Sequence, residues 1–541
     1  MRPNTAIRLL TAGTARGIAA FVLATVLALL VPGVTRAPIA AASAPGAMAG
    51  ANAATPDLAA VDRYVEGERR ATRLPGLALG IVRGDQIVHL RGFGHADSSG
   101  RAVTPQMPFI IGSTTKSFTA LAVMQLVEAA KIDLDAPVQR YLPWFRVADP
   151  DPASARITVR NLLTHTSGLH GPLASFTRSD TSAGALEQAV RALRTEHLGE
   201  PTGRIFQYAN INYSTLGLIV QVVAGQPYED YLRAHVLAPL EMTDAYLSPL
   251  EARRHGLATG HRYWFGHPVA FQMPYNRAAL PAGFISASAE AMTHYLIVQL
   301  NGGRYHTARV LSAAGIATLH RPAVATGIGS ISYAMGWYVG EINGVSMVWH
   351  PGSSGTFRSN LTLAPAPAGG WGIVMLSNGD NVMAPMRIAG IARGVLGLLV
   401  GRHLTAEPTT SGNQIIFYAL LAAVVVQLLG IARSTQLLRR WNAYPARRPR
   451  GRVRATARIV LPLLANLAWA LVCLVGLPLF MAGSLSAVLL LFPDMGVVLL
   501  ASGAIAAAWG IARAALAIGA LRRPASDHSI PPTPQINTVS V

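Results

Sequence analysis

The sequence predicts an α/β domain followed by three transmembrane helices. Three observations lead there. Strand-like segments stand near both ends of residues 53–400, with a helical middle between them. Three apolar runs, at about 414–432, 459–482 and 495–512, each come close to the ~20 residues that cross a bilayer. The composition, 51% apolar and 13% charged, is not that of one soluble globule.

The elements follow in order. Arg2, Arg8 and Arg16 precede an apolar run from Gly17 to Pro32, and small residues follow at Ala40–Ala44. This is the layout of a secretory signal peptide or an N-terminal anchor over residues 1–44, and either exports what comes next. Residues 45–57 are an Ala/Gly/Pro-rich linker, and 58–72 reads as a helix. Pro75–Val82 alternates apolar and small residues, Arg83-Gly84-Asp85 turns, and Gln86–Phe93 reads as a second strand, which predicts a hairpin. Phe118–Ala130 carries Leu121, Met124, Leu126 and Val127 at helical spacing, and the helix is expected to start near Ser113. Strand-like runs return at Met347–Trp349, Ser359–Leu363 and Gly372–Leu376, before a final helix over 381–400. The sheet is expected to pair its first and last segments. Residues 401–413 form a polar linker, and the polar, Pro-containing residues 524–541 are expected to be disordered.

The formal charge of +19 is unevenly spread: +4 over residues 1–52, +5 over 53–412 and +10 over 413–541. Most of the excess flanks apolar runs and reads as topology charge. Residues 433–458 hold nine Arg and no acid, which predicts a cytoplasmic loop between the first two spans. The three spans then leave 53–412 facing the periplasm or cell exterior of a bacterial cytoplasmic membrane, in agreement with the N-terminal signal. Membrane lipid is thus an expected partner through the spans. Nucleic acid is not, because no basic patch is interleaved with aromatics. The single cysteine, Cys473, allows no disulfide within the chain, and neither a thiol cluster nor His-Glu-x-x-His is present. No cofactor and no metal are expected.

The chemistry starts from a scarcity. Lys116 and Lys131 are the only lysines among 45 basic residues. Arg stays protonated, whereas a buried Lys can lose its proton. A lysine kept at Ser113-Thr114-Thr115-Lys116 therefore suggests a removable proton, as activation of a serine requires. Residues i and i+3 share a helix face, and a helix N-terminus favours negative charge developing on the serine oxygen. Tyr208-Ala209-Asn210 can present a phenol that relays a proton and an amide that holds a substrate carbonyl. Trp349-His350-Pro351-Gly352-Ser353 can line a cleft with His350, with Gly352 allowing close substrate approach and a backbone N–H beyond it helping to bind an oxyanion. Each segment alone also fits ordinary structure: a surface helix, a turn Asn, a turn His.

Taken together, Ser-x-x-Lys, Tyr-x-Asn and His-x-Gly in this order resemble the penicillin-recognising serine hydrolases: class C β-lactamases, D-Ala-D-Ala carboxypeptidases and related esterases and D-aminopeptidases. Four further segments match blocks of that family: Asn161–Gly168 (NLLTHTSG), Tyr208–Gly217 (YANINYSTLG), Pro239–Asp244 (PLEMTD) and Pro281–Ser288 (PAGFISAS). The resemblance covers about 55–400 and not the apolar C-terminal runs. It implies a β-lactamase-like antiparallel sheet flanked by helices plus an all-helical domain. Ser113 would be the acylated nucleophile, with Lys116 and Tyr208 sharing general-base and proton-shuttle work. Asn210 would hold the substrate amide, His350 would stand beside the cleft, and the N–H groups of Ser113 and Ser353 would form the oxyanion hole. His165, inside the second block, would pack and order a loop. Lys131 reads as a helix-end charge.

One departure bears on substrate. Where class C β-lactamases carry Lys-Thr-Gly, this chain has His350-Pro351-Gly352. Pro supplies neither the hydroxyl nor an N–H that would help hold a substrate carboxylate. The expected activity is a membrane-anchored serine hydrolase acting on an amide or ester of the cell envelope, such as a D-amino-acid peptide or a β-lactam-like molecule. The alternatives are a small-ester esterase, and an acylated penicillin-binding sensor that signals through the spans. The absence of Gly-x-Ser-x-Gly argues against an α/β-hydrolase.

Overall fold

The computed structural model describes residues 56–170, 178–366, 369–381, 387–404 and 412–523. The signal or anchor expected over 1–44, the linker at 45–55, the middle of the 401–413 linker and the tail at 524–541 lie outside the described residues.

Helix α1 (Leu58–Ala71) starts at Asp57, whose side chain accepts the Ala60 N–H, and buries Val61 and Val65. The expected hairpin follows as β1 (Gly76–Arg83) and β2 (Gln86–Gly94). A 3-10 turn at Gly112–Thr114 leads into α2 (Thr115–Glu128), and Asn210–Ala224 forms α3. A second hairpin comprises β3 (His261–Trp264) and β4 (His267–Ala270), and Ala289–Leu300 is α4. The strands β5 (Val324–Ala325), β6 (Ser332–Tyr333), β7 (Tyr338–Ile342), β8 (Val345–Ser353), β9 (Arg358–Ala364), β10 (Trp371–Ser377) and β11 (Gly379–Asp380) precede α5 (Arg387–Val400).

Eight strands form one sheet in the order β5-β6-β7-β8-β9-β10-β1-β2, antiparallel throughout. The first strand pairs with the last long one, Leu77 opposite Ser377 and Arg83 opposite Trp371. Alternation explains why β1 sits centrally. Leu77, Leu79 and Ile81 point to one face, where they meet Val61 and Val65 of α1 and Ile391 and Val395 of α5. Ala78 and Val82 face the larger core with Phe118 and Leu121 of α2. Each of these Leu, Ile, Val and Phe side chains contributes ~1.5–3 kcal/mol on full burial. On that second face a Cβ at Gly80 would lie 2.6 Å from Thr293 Cγ2 and 3.2 Å from the Ala289 carbonyl oxygen, so α4 lies directly on the sheet. The helical middle packs α3 against α2 beside the sheet. This is the antiparallel sheet flanked by helices, with a helical region, that the resemblance implied.

After the domain come α6 (Gly412–Ala443), α7 (Arg452–Leu471, continuing through a π turn at Val472–Gly476 to Ala482), the short α8 (Leu485–Leu491) and α9 (Pro493–Arg522). Three of these helices are long and apolar enough to cross a membrane. The Arg-rich loop expected over 433–458 is corrected by the structure: Arg433, Arg439 and Arg440 are on α6, and Arg452, Arg454 and Arg458 are on α7. Arg is a good helix former, so the backbone ladder continues past the apolar stretch. Gln427, Trp469 and Ser502 tie the three helices together, with Trp469 Nε1 donating to Ser502 Oγ at 3.0 Å and Ser502 Oγ donating to Gln427 Oε1 at 2.9 Å. The β3–β4 hairpin docks on this bundle. The Phe265 N–H donates to Asp494 Oδ2 at 2.9 Å, and Arg262 Nη1 donates to the Leu490 carbonyl oxygen at 3.2 Å.

Candidate active site

Two glycines bring the start of α2 against the end of β8. Gly112 has φ +54°, a left-handed conformation that costs glycine least, and a Cβ there would lie 2.5 Å from Ser353 N. A Cβ at Gly352 would lie 2.1 Å from the Ile111 carbonyl oxygen. The close approach that Gly352 permits is thus to the chain around Ile111 rather than to the substrate expected from sequence. The turn is pinned from β9, where Ser359 Oγ donates to Ile111 O at 2.5 Å, and from within, where Thr114 Oγ1 donates to the same oxygen at 2.7 Å. The main chains of Ser113 and Ser353 are thereby neighbours.

Lys116 is fully buried at the root of this turn. Its Nζ lies 3.1 Å from Ser113 Oγ, 2.7 Å from Asn210 Oδ1 and 2.7 Å from the Ala282 carbonyl oxygen. Among the described residues no carboxylate is paired with it, and burial alone holds its pKa well below the ordinary lysine value. The two carbonyl acceptors fit the two N–H bonds of a neutral amine, and its lone pair then falls to Ser113 Oγ–H.

Tyr208 stands just before α3, with its ring 4.9 Å from Lys116 Nζ. The residue keeps 37% of its surface exposed. Its phenol is nevertheless raised well above the usual value, first by burial and then by the nearby Tyr338, while a hydrogen bond with Ser113 pulls it back. With that much surface open, the direction is what bears on chemistry: the phenol keeps its proton at neutral pH. Asn210 begins α3 with its oxygen taken by Lys116, which leaves its amide N–H groups as donors. His165, with φ +57°, is fully buried and accepts the Ala209 N–H on Nδ1 at 3.2 Å, while its own carbonyl accepts the Gln207 N–H at 2.8 Å. It clamps the segment that carries Tyr208, whose ring lies 4.4 Å away.

His350 is on β8, packed 5.4 Å from Tyr338 and 6.4 Å from Tyr208 by ring centroid. Only 1% of it is exposed, so it stands behind Tyr208 rather than at the surface expected from sequence. Its Nδ1 is 2.7 Å from the Pro351 carbonyl oxygen and its Nε2 is 3.3 Å from the Tyr333 hydroxyl. Burial, then the Lys116 charge, lower its pKa to about 3, which leaves the ring neutral. Ser353 ends β8 with its hydroxyl donated to Asp380. Asp380 also accepts the Gly355 N–H at 3.1 Å and pairs with Arg358 at 2.6 Å.

The beta-lactamase family profile matches residues 61–396. The chain belongs to the beta-lactamase family. Penicillin-binding protein 4 of Amycolatopsis lactamdurans is 34% identical over 349 residues, covering 62% of this chain and 88% of that protein. Protein flp of Staphylococcus aureus strain MW2 is 27% identical over 329 residues, covering 60% of this chain and 64% of that protein. The chain thus spans less than two thirds of that curated relative. Among solved structures, the octameric penicillin-binding protein homologue from Pyrococcus abyssi superposes with a TM-score of 0.56 at 25% identity, over 64% of this chain and 78% of that one. EstCE1, a hydrolase with promiscuous acyltransferase activity, shares the fold with a TM-score of 0.54 at 22% identity, over 63% of this chain and 99% of that one.

Within this family of serine hydrolases, Ser113, Lys116, Tyr208, Asn210, Gly352 and Ser353 come together in one place, and His350 lies directly behind them. Asp380 and Tyr333 were missed by sequence reasoning. Asp380 reaches Ser353 through the sheet from 27 positions away, and no local pattern marks it. Tyr333 sits on a two-residue strand too short to show alternation. Gly112 could have been found: a Gly directly before Ser-x-x-Lys suggests a special backbone angle. Among the described residues no cluster of His, Cys, Asp or Glu could hold a metal ion.

Proposed function

We propose that this chain hydrolyses an amide or ester of the cell envelope through an acyl-serine intermediate, as a membrane-anchored enzyme. The observation that carries the reading is Lys116: a buried amine with two carbonyl acceptors and a serine hydroxyl as its third neighbour. Neutral Lys116 takes the Ser113 Oγ proton as that oxygen attacks the substrate carbonyl carbon. The backbone N–H groups of Ser113 and Ser353 receive the oxyanion. The C–N or C–O bond then breaks, and the leaving group takes a proton relayed through Tyr208 from Lys116. A water molecule attacks the acyl ester, gives its proton back along the same route, and releases the acid and free Ser113. The test is labelling of the full chain by a serine-reactive probe. Ser113→Ala should abolish it, and retained labelling sinks the assignment.

A second reading, an esterase for small uncharged acyl esters, is favoured by β8. Both ring nitrogens of His350 are engaged, and Pro351 offers neither hydroxyl nor N–H, so this strand presents no obvious partner for a substrate carboxylate. Turnover of a D-Ala-D-Ala peptide beside a short acyl ester separates the two. Cleavage of the peptide at a comparable rate removes the esterase reading.

The outward orientation of the catalytic domain is part of this proposal. It is supported by the docked hairpin: Phe265 meets Asp494 at the start of α9, whereas Arg522 marks its far end. Positive charge gathers at the end of the bundle remote from the domain, as it does on cytoplasmic sides.

A further inference from the structure

The three-helix bundle holds a cavity of about 750 Å³ at its Arg-rich end. Arg433, Arg440, Arg458 and Arg513 line it, together with the amides of Gln427 and Asn466. Arg513 is 5% exposed. Its Nε donates to Ser434 Oγ at 2.5 Å and its Nη1 to the Arg458 carbonyl oxygen at 2.9 Å, both uncharged acceptors. Five N–H donors belong to a guanidinium, so these two bonds leave three. The only acid between residues 413 and 523 is Asp494, about 28 Å along the same helix at 1.5 Å per residue, and it is engaged with Phe265.

A guanidinium does not shed its proton. Among the described residues no carboxylate pairs with Arg513, and a buried guanidinium so placed calls for an anion. Topology charge does not account for it: that role needs Arg near the bundle end, such as Arg452 or Arg522, not one lying about 13 Å further in and buried. Several guanidinium groups with flanking amides suit a phosphate, which accepts paired N–H bonds. Basic pockets between spans on the cytoplasmic side are where lipid headgroups of this charge are held. We propose that this cavity binds a phosphate group, presented by an anionic lipid headgroup or by free phosphate. The inference rests on the reading of the three helices as membrane spans.

The test uses the full chain, first recovered from membranes after alkaline washing. Loss of the chain in that wash overturns the membrane reading itself. Retained chain, purified in detergent, is then followed by thermal unfolding with added phosphatidylglycerol, phosphatidylcholine or inorganic phosphate. Phosphatidylglycerol should raise the midpoint at roughly tenfold lower concentration for the native chain than for Arg513→Gln, the loss expected for one charge-assisted contact. Phosphatidylcholine should not raise it. A shift with inorganic phosphate alone, lost in Arg513→Gln, assigns the site to free phosphate. Arg433→Gln provides a rim variant should Arg513→Gln fail to fold, and far-UV circular dichroism of each chain in detergent reports whether its helices are intact. Equal shifts with both lipids, or an equal loss in Arg452→Gln outside the cavity, overturn the site.

Discussion

The chain buries two cations without a carboxylate among the described residues, and it resolves them differently. Lys116 sits under the Ser113 turn with three neutral oxygen neighbours, and Arg513 sits in the helix bundle with two. Burying an unpaired charge costs several kcal/mol even after relaxation. A lysine can escape the cost by giving up its proton, which is the base role proposed for Lys116 beside Ser113. An arginine cannot, and the result is a demand for an anion. The residue type decides whether the same physical problem yields a proton acceptor or a ligand site.

The comparison breaks first if the two residues are interchangeable. Lys116→Arg keeps the charge and removes the base, so hydrolysis of an ester should fall by roughly 10²–10⁴-fold, the usual worth of a general base. The reciprocal Arg513→Lys should leave hydrolysis unchanged. Steady-state kinetics on both variants decide it, and an active Lys116→Arg enzyme removes the lysine from the chemistry.

A smaller effect lies in pH. Because burial lowers the Lys116 pKa, kcat/KM should climb with pH, about tenfold per unit while the amine is still protonated, and level off once it is neutral. His350, lowered to about 3, should add no limb between pH ~5 and ~8. The stability sign is the same. Between the folded and unfolded Lys116 values the unfolded chain binds more protons, so the stability contribution increases as pH rises. The phosphate site should not share a titration from Arg513 in that range. A rate profile that falls across it contradicts the assignment of Lys116 as base.

The smallest effect is Ser434→Ala, which removes one hydrogen bond from the charged Arg513 and should cost about 1.5–3 kcal/mol of bundle stability without touching turnover. Parallel melts and activity assays check it, and a loss of turnover would mean that the bundle and the cleft are not separate problems.

How much of this was legible depends on the distance over which each feature is encoded. The hairpin of β1 and β2 was written in local alternation, and Ser113 and Lys116 stood out because the chain uses Arg almost everywhere else. The long strands β8, β9 and β10 showed as apolar runs, while β5 and β6, two residues each, are too short to carry a pattern. Asp380 could not be found because its meaning is created by the register that seats it beside Ser353 and Arg358. The Arg-rich segment misled because charge density predicts a side of the membrane, not where a helix stops. Arg513 directly follows the third apolar run and by sequence counts among the flanking charges, and only the packing of α6 and α7 around it makes it buried.

The docked β3–β4 hairpin sets one more thing. A domain on a flexible stalk alone could sample many heights and tilts, but Arg262 and Phe265 seat this one on the mouth of its own bundle. β3 in turn pairs with β11, Asp380 opposite Arg262, and Asp380 carries Ser353. With the bundle in a bilayer, as proposed, the cleft then works at one elevation above the lipid. An immobile substrate must present its scissile bond at that level, while small diffusing molecules face no such restriction.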